Sequence, residues 1–124
     1  MDSNDLPQVA AAWVRYQVAR SQDDWWAVEQ VHDLVEVDLA TAWNVVNALC
    51  DAASLLETLC DIGAGPLEDT IKLYGIEVLG YLDSVANEKL LEAACCVWLS
   101  DAELELQLDS LLRSHGRQLS TTPE

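Results

Sequence analysis

The stretch LATAWNVVNALCDAA, residues 39–53, decides the fold. Its apolar members Leu39, Ala42, Trp43, Val46, Leu49, Cys50 and Ala53 fall on one face of a helix, because side chains three and four residues apart line up along it. Asp38 stands just before them, where a short acceptor side chain can cap the first free N–H groups. The spacing predicts a helix over 39–53 with one face buried.

The same reading extends in both directions. Asn4 or Asp5 can cap a first helix with Pro7 in its opening turn, and Leu6, Val9, Ala10, Trp13 and Tyr16 form its stripe as far as Arg20. Ser21 and Asp24 resemble a capping box that opens a second helix over 22–37, with Ala27, Val28, Val31, Leu34 and Val35 inward. Ser54 and Glu57 form a capping box for a short helix to Ile62. Gly63-Ala64-Gly65 reads as a stop that reverses the chain. Pro66 then starts the next helix, with Leu67, Ile71 and Tyr74 inward and Gly75 as C-cap. A sixth helix carries Val78, Leu79, Leu82, Val85 and Ala86. Asn87 caps a seventh with Leu91, Ala94, Cys95 and Trp98 inward. Ser100 and Glu103 open an eighth, which packs Leu104, Leu108, Leu111 and Leu112 and closes at Gly116.

No segment alternates as a strand does. The expected fold is therefore all-α. It is a single domain over 1–116 of seven to eight short helices packed as antiparallel hairpins at 39–62, 66–86 and 88–114. HEAT-like stacking is the variant, although exact repeats are absent. The segment 117–124 has no apolar pattern and is expected to fray.

Charge narrows the function classes. The 124 residues carry 22 Asp and Glu against 6 Lys and Arg, a net charge of −16, while 51% of residues are hydrophobic. A disordered acidic chain would lack those apolar residues, so a packed core under a negative coat is expected. Nucleic acid and anionic membrane surfaces both demand clustered cations. Here Arg15, Arg20, Lys72, Lys89, Arg113 and Arg117 are scattered, so neither is an expected partner. The segment after Met1 holds Asp2 and does not read as a secretory signal. No stretch approaches the ~18 apolar residues of a membrane span. A soluble, cytoplasmic protein is expected.

Cys50, Cys60, Cys95 and Cys96 include no C-x-x-C pair, so zinc spacing is absent. They are expected to be reduced and mostly buried.

The segment Gly63-Ala64-Gly65-Pro66-Leu67-Glu68-Asp69, followed by Tyr74-Gly75, resembles the centre of a family of small uncharacterised bacterial helical proteins, a domain of unknown function. That family has a Trp-rich acidic helix, an Ala-Trp helix, a GAGPLED-type turn, a helix ending in His-Gly or Tyr-Gly, and a late Val-Trp element. Trp25-Trp26, Ala42-Trp43, residues 63–69, Tyr74-Gly75 and Val97-Trp98 match these parts, and the likeness covers about 25–99. It implies a helical fold and a bacterial origin, and assigns no activity. Where the family commonly has His before Gly, this chain has Tyr74, which counts against His-based chemistry there. The turn also has a plain account: two glycines for a reversal, Pro66 for a helix start, and Glu68 and Asp69 at the positive end of a helix dipole. An anion nest at Gly63–Gly65 is disfavoured by those carboxylates.

Catalytic chemistry is poorly supported. His32, Glu29 and Glu36 lie at neighbouring positions of one helical surface and could form half of a carboxylate-rich metal site, but a second such motif is missing. His115 reads as a dipole partner at a helix end. The serines include no nucleophile elbow, and there is no phosphate-binding or dinucleotide fingerprint. Paired carboxylates lie on helix surfaces, with nothing nearby to raise a pKa. No enzyme activity, metal or cofactor is expected.

Two acidic stripes stand out, Glu29-Asp33-Glu36 and Asp101-Glu105-Asp109, and like charges at such spacing do not help a helix. They serve either solubility or recognition of a basic surface. Trp25 and Trp26 are consecutive, so one is expected to be buried and the other partly exposed. The leading expectation is a non-enzymatic acidic protein that binds a basic protein partner, as a toxin-neutralising immunity protein or an inhibitor of a nucleic-acid-binding protein would. Its contact residues would be Asp24, Trp25, Trp26, Glu29, Asp33, Glu36, Asp101, Glu105 and Asp109. The alternatives are a housekeeping helical scaffold whose acidity serves solubility and, behind it, a metal-dependent hydrolase.

Overall fold

A computed structural model describes residues 5–85 and 87–120. Asn4, Ala86 and residues 121–124, which enter the expectations above, lie outside the described residues. The fold is all-α. The helices are α1 (Leu6–Ala19), α2 (Trp25–Val35), α3 (Leu39–Ala52), α4 (Leu56–Ile62), α5 (Glu68–Tyr74), α6 (Ile76–Val85), α7 (Glu88–Ala94) and α8 (Ala102–Ser114). A 3₁₀ turn at Gln22–Asp24 precedes α2, and Ser21 accepts a hydrogen bond from the Asp23 N–H there.

α1 packs on α2 and α3, and α3 also meets α4, α5 and α7. Their shared core holds Val9, Trp13, Val31, Val35, Val46 and Leu49, all buried. Each such side chain contributes roughly 1.5–3 kcal/mol by leaving water. α5 pairs with α6 as expected, but α8 packs chiefly on α6 rather than forming a hairpin with α7.

Caps set several boundaries. Asp38 accepts the Thr41 N–H at 2.7 Å, and Asn87 accepts from Lys89 and Leu90. The hydrogen bonds at Asp38 hold its carboxyl below the usual carboxylate range. Two expected capping boxes shift by one residue. Leu55, not Ser54, precedes α4, and Asp101, not Ser100, caps α8 by accepting from Glu103 and Leu104. Asp5 precedes α1 without a side-chain cap. Gly116, at φ 76°, closes α8. Its N–H donates to Arg113 and that of Arg117 to Leu112, which satisfies two carbonyls at the helix end.

The main correction concerns residues 63–69. The chain does not reverse there. Gly63–Leu67 forms a π-helical turn, and Ile62, Gly63, Leu67 and Glu68 all keep right-handed helical backbone angles. α4, this turn and α5 therefore make one helical run from Leu56 to Tyr74. The Glu68 N–H donates to the Gly63 carbonyl, the five-residue step of a π-turn. A widened turn accommodates Pro66, which lacks an N–H and would clash with the carbonyl four residues back in a regular helix. The Thr70 hydroxyl donates to the Pro66 carbonyl at 2.7 Å. Glu68 and Asp69 consequently do not cap a free helix end. Glu68 accepts the Trp98 N–H at 2.8 Å and pairs with Lys72 at 3.1 Å.

The cysteines also depart from expectation. Cys60 on α4 and Cys96 after α7 form a disulfide, with Cα atoms 5.3 Å apart. Cys50 is buried, whereas Cys95 is half-buried and Cys60 exposed. Burial, reinforced by Asp51, pushes the Cys50 thiol up to about 12, and burial raises the Cys95 thiol too.

Residues 117–120 do not fray. Leu119 is 1% exposed, and the Ser120 N–H donates to the Cys95 carbonyl at 2.8 Å. Arg117 pairs with Glu88 at 2.6 Å and with Glu92.

Candidate partner-binding face

α2 presents two faces. Ala27, Val31 and Val35 are buried against α1 and α3, which leaves Trp25, Trp26, Glu29, His32, Asp33 and Glu36 pointing outward. Neither tryptophan is buried. Trp25 is 41% and Trp26 48% exposed, because α2 begins at Trp25 and both indoles stand at its open end. Trp25 is braced edge-on by Tyr16, with ring centroids 5.2 Å apart, and the Arg20 guanidinium lies over the other aromatic, Tyr16, at 5.3 Å. Trp26 has no such ring partner among the described residues.

Asp24 does not belong to the free acidic set. Its side chain is 14% exposed and pairs with Arg15 at 3.0 Å. Glu36 lies 3.3 Å and Asp33 3.8 Å from opposite nitrogens of His32. Among the described residues, no three His, Cys, Asp or Glu side chains converge as metal ligands would.

The α8 stripe is largely structural. Asp101 caps the helix, Asp109 accepts from Arg113 at 2.7 Å and from the Leu119 N–H, and Glu105 is half-buried. The structure thus separates the two stripes: of the two, the α2 stripe is the one that faces outward beside exposed aromatic residues. His115 contacts Asp83 at 2.9 Å and so ties the end of α8 to α6.

All six Lys and Arg side chains have a partner inside the molecule. Arg15, Lys72, Arg113 and Arg117 pair with carboxylates, Arg20 covers Tyr16, and Lys89 donates to the Ala53 carbonyl at 2.8 Å. The acidic excess faces solvent without mobile cations of its own to neutralise it.

Sequence reasoning missed two features. Trp98, expected inward, is 59% exposed, because α7 ends at Ala94 and its spacing no longer applies four residues later. Asp69 has a raised carboxyl pKa, first through burial and then through Glu68. It lines a cleft with His32 between α2 and the π-turn. Only the run Glu68-Asp69 hinted at it.

Among the described residues, no helix is long and apolar enough to cross a membrane. No family model matches this chain, and neither curated proteins nor solved structures give a significant match.

Proposed function

We propose that this protein is a non-enzymatic binder of a basic protein partner, with the outer face of α2 as its contact surface. The carrying observation is the exposure of Trp25 and Trp26 on the same helix as Glu29 and Asp33, with Glu36 at its C-terminal cap. Tryptophan is favoured at interface hot spots, because a large rigid side chain is desolvated at little entropic cost. The carboxylates attract cationic surfaces and can raise association rates by about 10–10³-fold. Binders of this kind include toxin-neutralising immunity proteins and inhibitors that occupy a nucleic-acid-binding site. The likeness to the bacterial family carries a bacterial origin into the reading. Composition favours a cytoplasmic setting, whereas the Cys60–Cys96 bridge argues against a permanently reducing one.

The test is a pull-down from source lysate at low salt and at ~0.5 M salt, where the screening length falls to about 4 Å. A stoichiometric basic protein is expected. It should be weakened by salt and lost with Trp26→Ala combined with Glu29→Lys. Recovery of no basic protein at either salt concentration would favour the scaffold whose acidity serves solubility.

A further inference from the structure

We infer that the cleft between α2 and the π-turn is a pocket for one arginine or lysine side chain, presented by a basic segment of the protein partner; the inference rests on the partner reading above and adds where the cation is held. The cleft holds about 240 Å³. Val28, Val31, Val35 and Pro66 give it an apolar lining, while Asp61 and Asp69 are its carboxylates. A second cleft of about 220 Å³ shares His32, Val35 and Asp69 and adds Glu36 and Lys72, so the two form one trough. Lys72 is already paired with Glu68.

The backbone itself makes the opening. Gly65 lines the cleft, and a Cβ placed there would meet nothing within 4 Å. The π-turn widens the helix at this point and leaves space that a side chain would otherwise cover. An arginine or lysine side chain matches both chemistries present, with an apolar stem for Val31, Val35 and Pro66 and a charged head for the carboxylates. Partial desolvation raises the Asp69 carboxyl pKa, and an incoming cation offsets that cost. An anion or an uncharged side chain gains no such compensation.

The test titrates the full-length, isotope-labelled protein with an acetylated, amidated hexapeptide of alternating leucine and arginine. The control peptide carries citrulline in place of arginine. Saturable amide shifts are expected at Val31, Val35, Gly65 and Asp69, with the citrulline peptide about tenfold weaker or more. Gly65→Leu fills the cleft without meeting the core, and Asp61→Asn with Asp69→Asn removes its charge. Each should weaken binding about tenfold while circular dichroism stays unchanged. Leu106→Ala should leave peptide affinity within about twofold, since this exposed α8 residue does not line the cleft. Equal binding of both peptides, or no saturable shift in the cleft, overturns the inference. Shifts confined to Trp25, Trp26 and Glu29 overturn the cleft and leave the outer-face reading standing. Peptide binding in the cleft, with partner capture untouched by Trp26→Ala and Glu29→Lys, removes the outer face and keeps the cleft.

Discussion

Gly63 lies so close to α7 that a Cβ on it would sit 1.8 Å from the carbonyl oxygen of Ala93. The obstacle is backbone, which cannot swing aside as the tip of a side chain can. This contact seats the π-turn against α7 next to the Cys60–Cys96 bridge. Gly63→Ala is therefore expected to destabilise the protein by about 1–3 kcal/mol, the usual cost of overpacking. Gly65→Ala, two residues on, is expected to be neutral or stabilising by up to about 1 kcal/mol, as a helix gains when glycine is replaced without a clash. Urea denaturation of the two variants checks the contrast, and similar losses in both would contradict it.

The disulfide closes a sequence separation of 36 residues. On the chain-entropy account, losing it costs about 3–4 kcal/mol. Cys96→Ser, or reduction of the parent protein, should lower the urea midpoint accordingly, and a non-reducing tryptic map should contain the Cys60–Cys96 peptide pair. Thiol labelling gives an independent reading. Cys50, with its thiol at about 12, should stay unlabelled in the native state, and reduction should expose Cys60 to reagent. Fast labelling of Cys50 would contradict this placement.

Much of this architecture is written in local spacing. The buried faces of α2 and α3 follow from the steps among Ala27, Val31 and Val35 and among Ala42, Val46, Leu49 and Ala53, because a helix face is a local property. Asp38 and Asn87 act as caps for the same reason. Residues 63–67 misled because glycine and proline usually break helices. The helical run passes close against Ala93, some thirty residues away, and no local pattern encodes that approach. The Cys60–Cys96 pairing is non-local in the same sense. Trp98 was misplaced by continuing a period past the true end of α7. At the candidate site, the acidic and aromatic composition of α2 was legible. The involvement of Asp24 and Asp109 in ion pairs was not, since Arg15 meets Asp24 only when α1 folds back on the turn before α2. The cleft at Gly65 depends on the π-turn and was equally hidden.

Asp69 yields a pH prediction. Its folded pKa is raised above the ordinary carboxylate value of 3.8 by burial and then by Glu68. Between 3.8 and the raised value the folded state binds more protons than the unfolded one, so stability contributed by this group falls as pH rises through that window. Asp69→Asn is expected to raise the melting temperature at pH 7 and to have little effect below pH 3.8. Thermal melts across pH decide this, and a destabilised Asp69→Asn protein at pH 7 would contradict the direction.

The outer face of α2 is proposed to meet a basic protein. The most direct measurement places a photo-crosslinking amino acid at Trp26 and, as control, at Leu106, an exposed position on α8. Irradiation is carried out in the source cells, and the adducts are identified by mass spectrometry. The account predicts one dominant adduct with a basic protein from position 26, absent from position 106 and diminished by Glu29→Lys. The same adducts from both positions, or none from position 26, would contradict it.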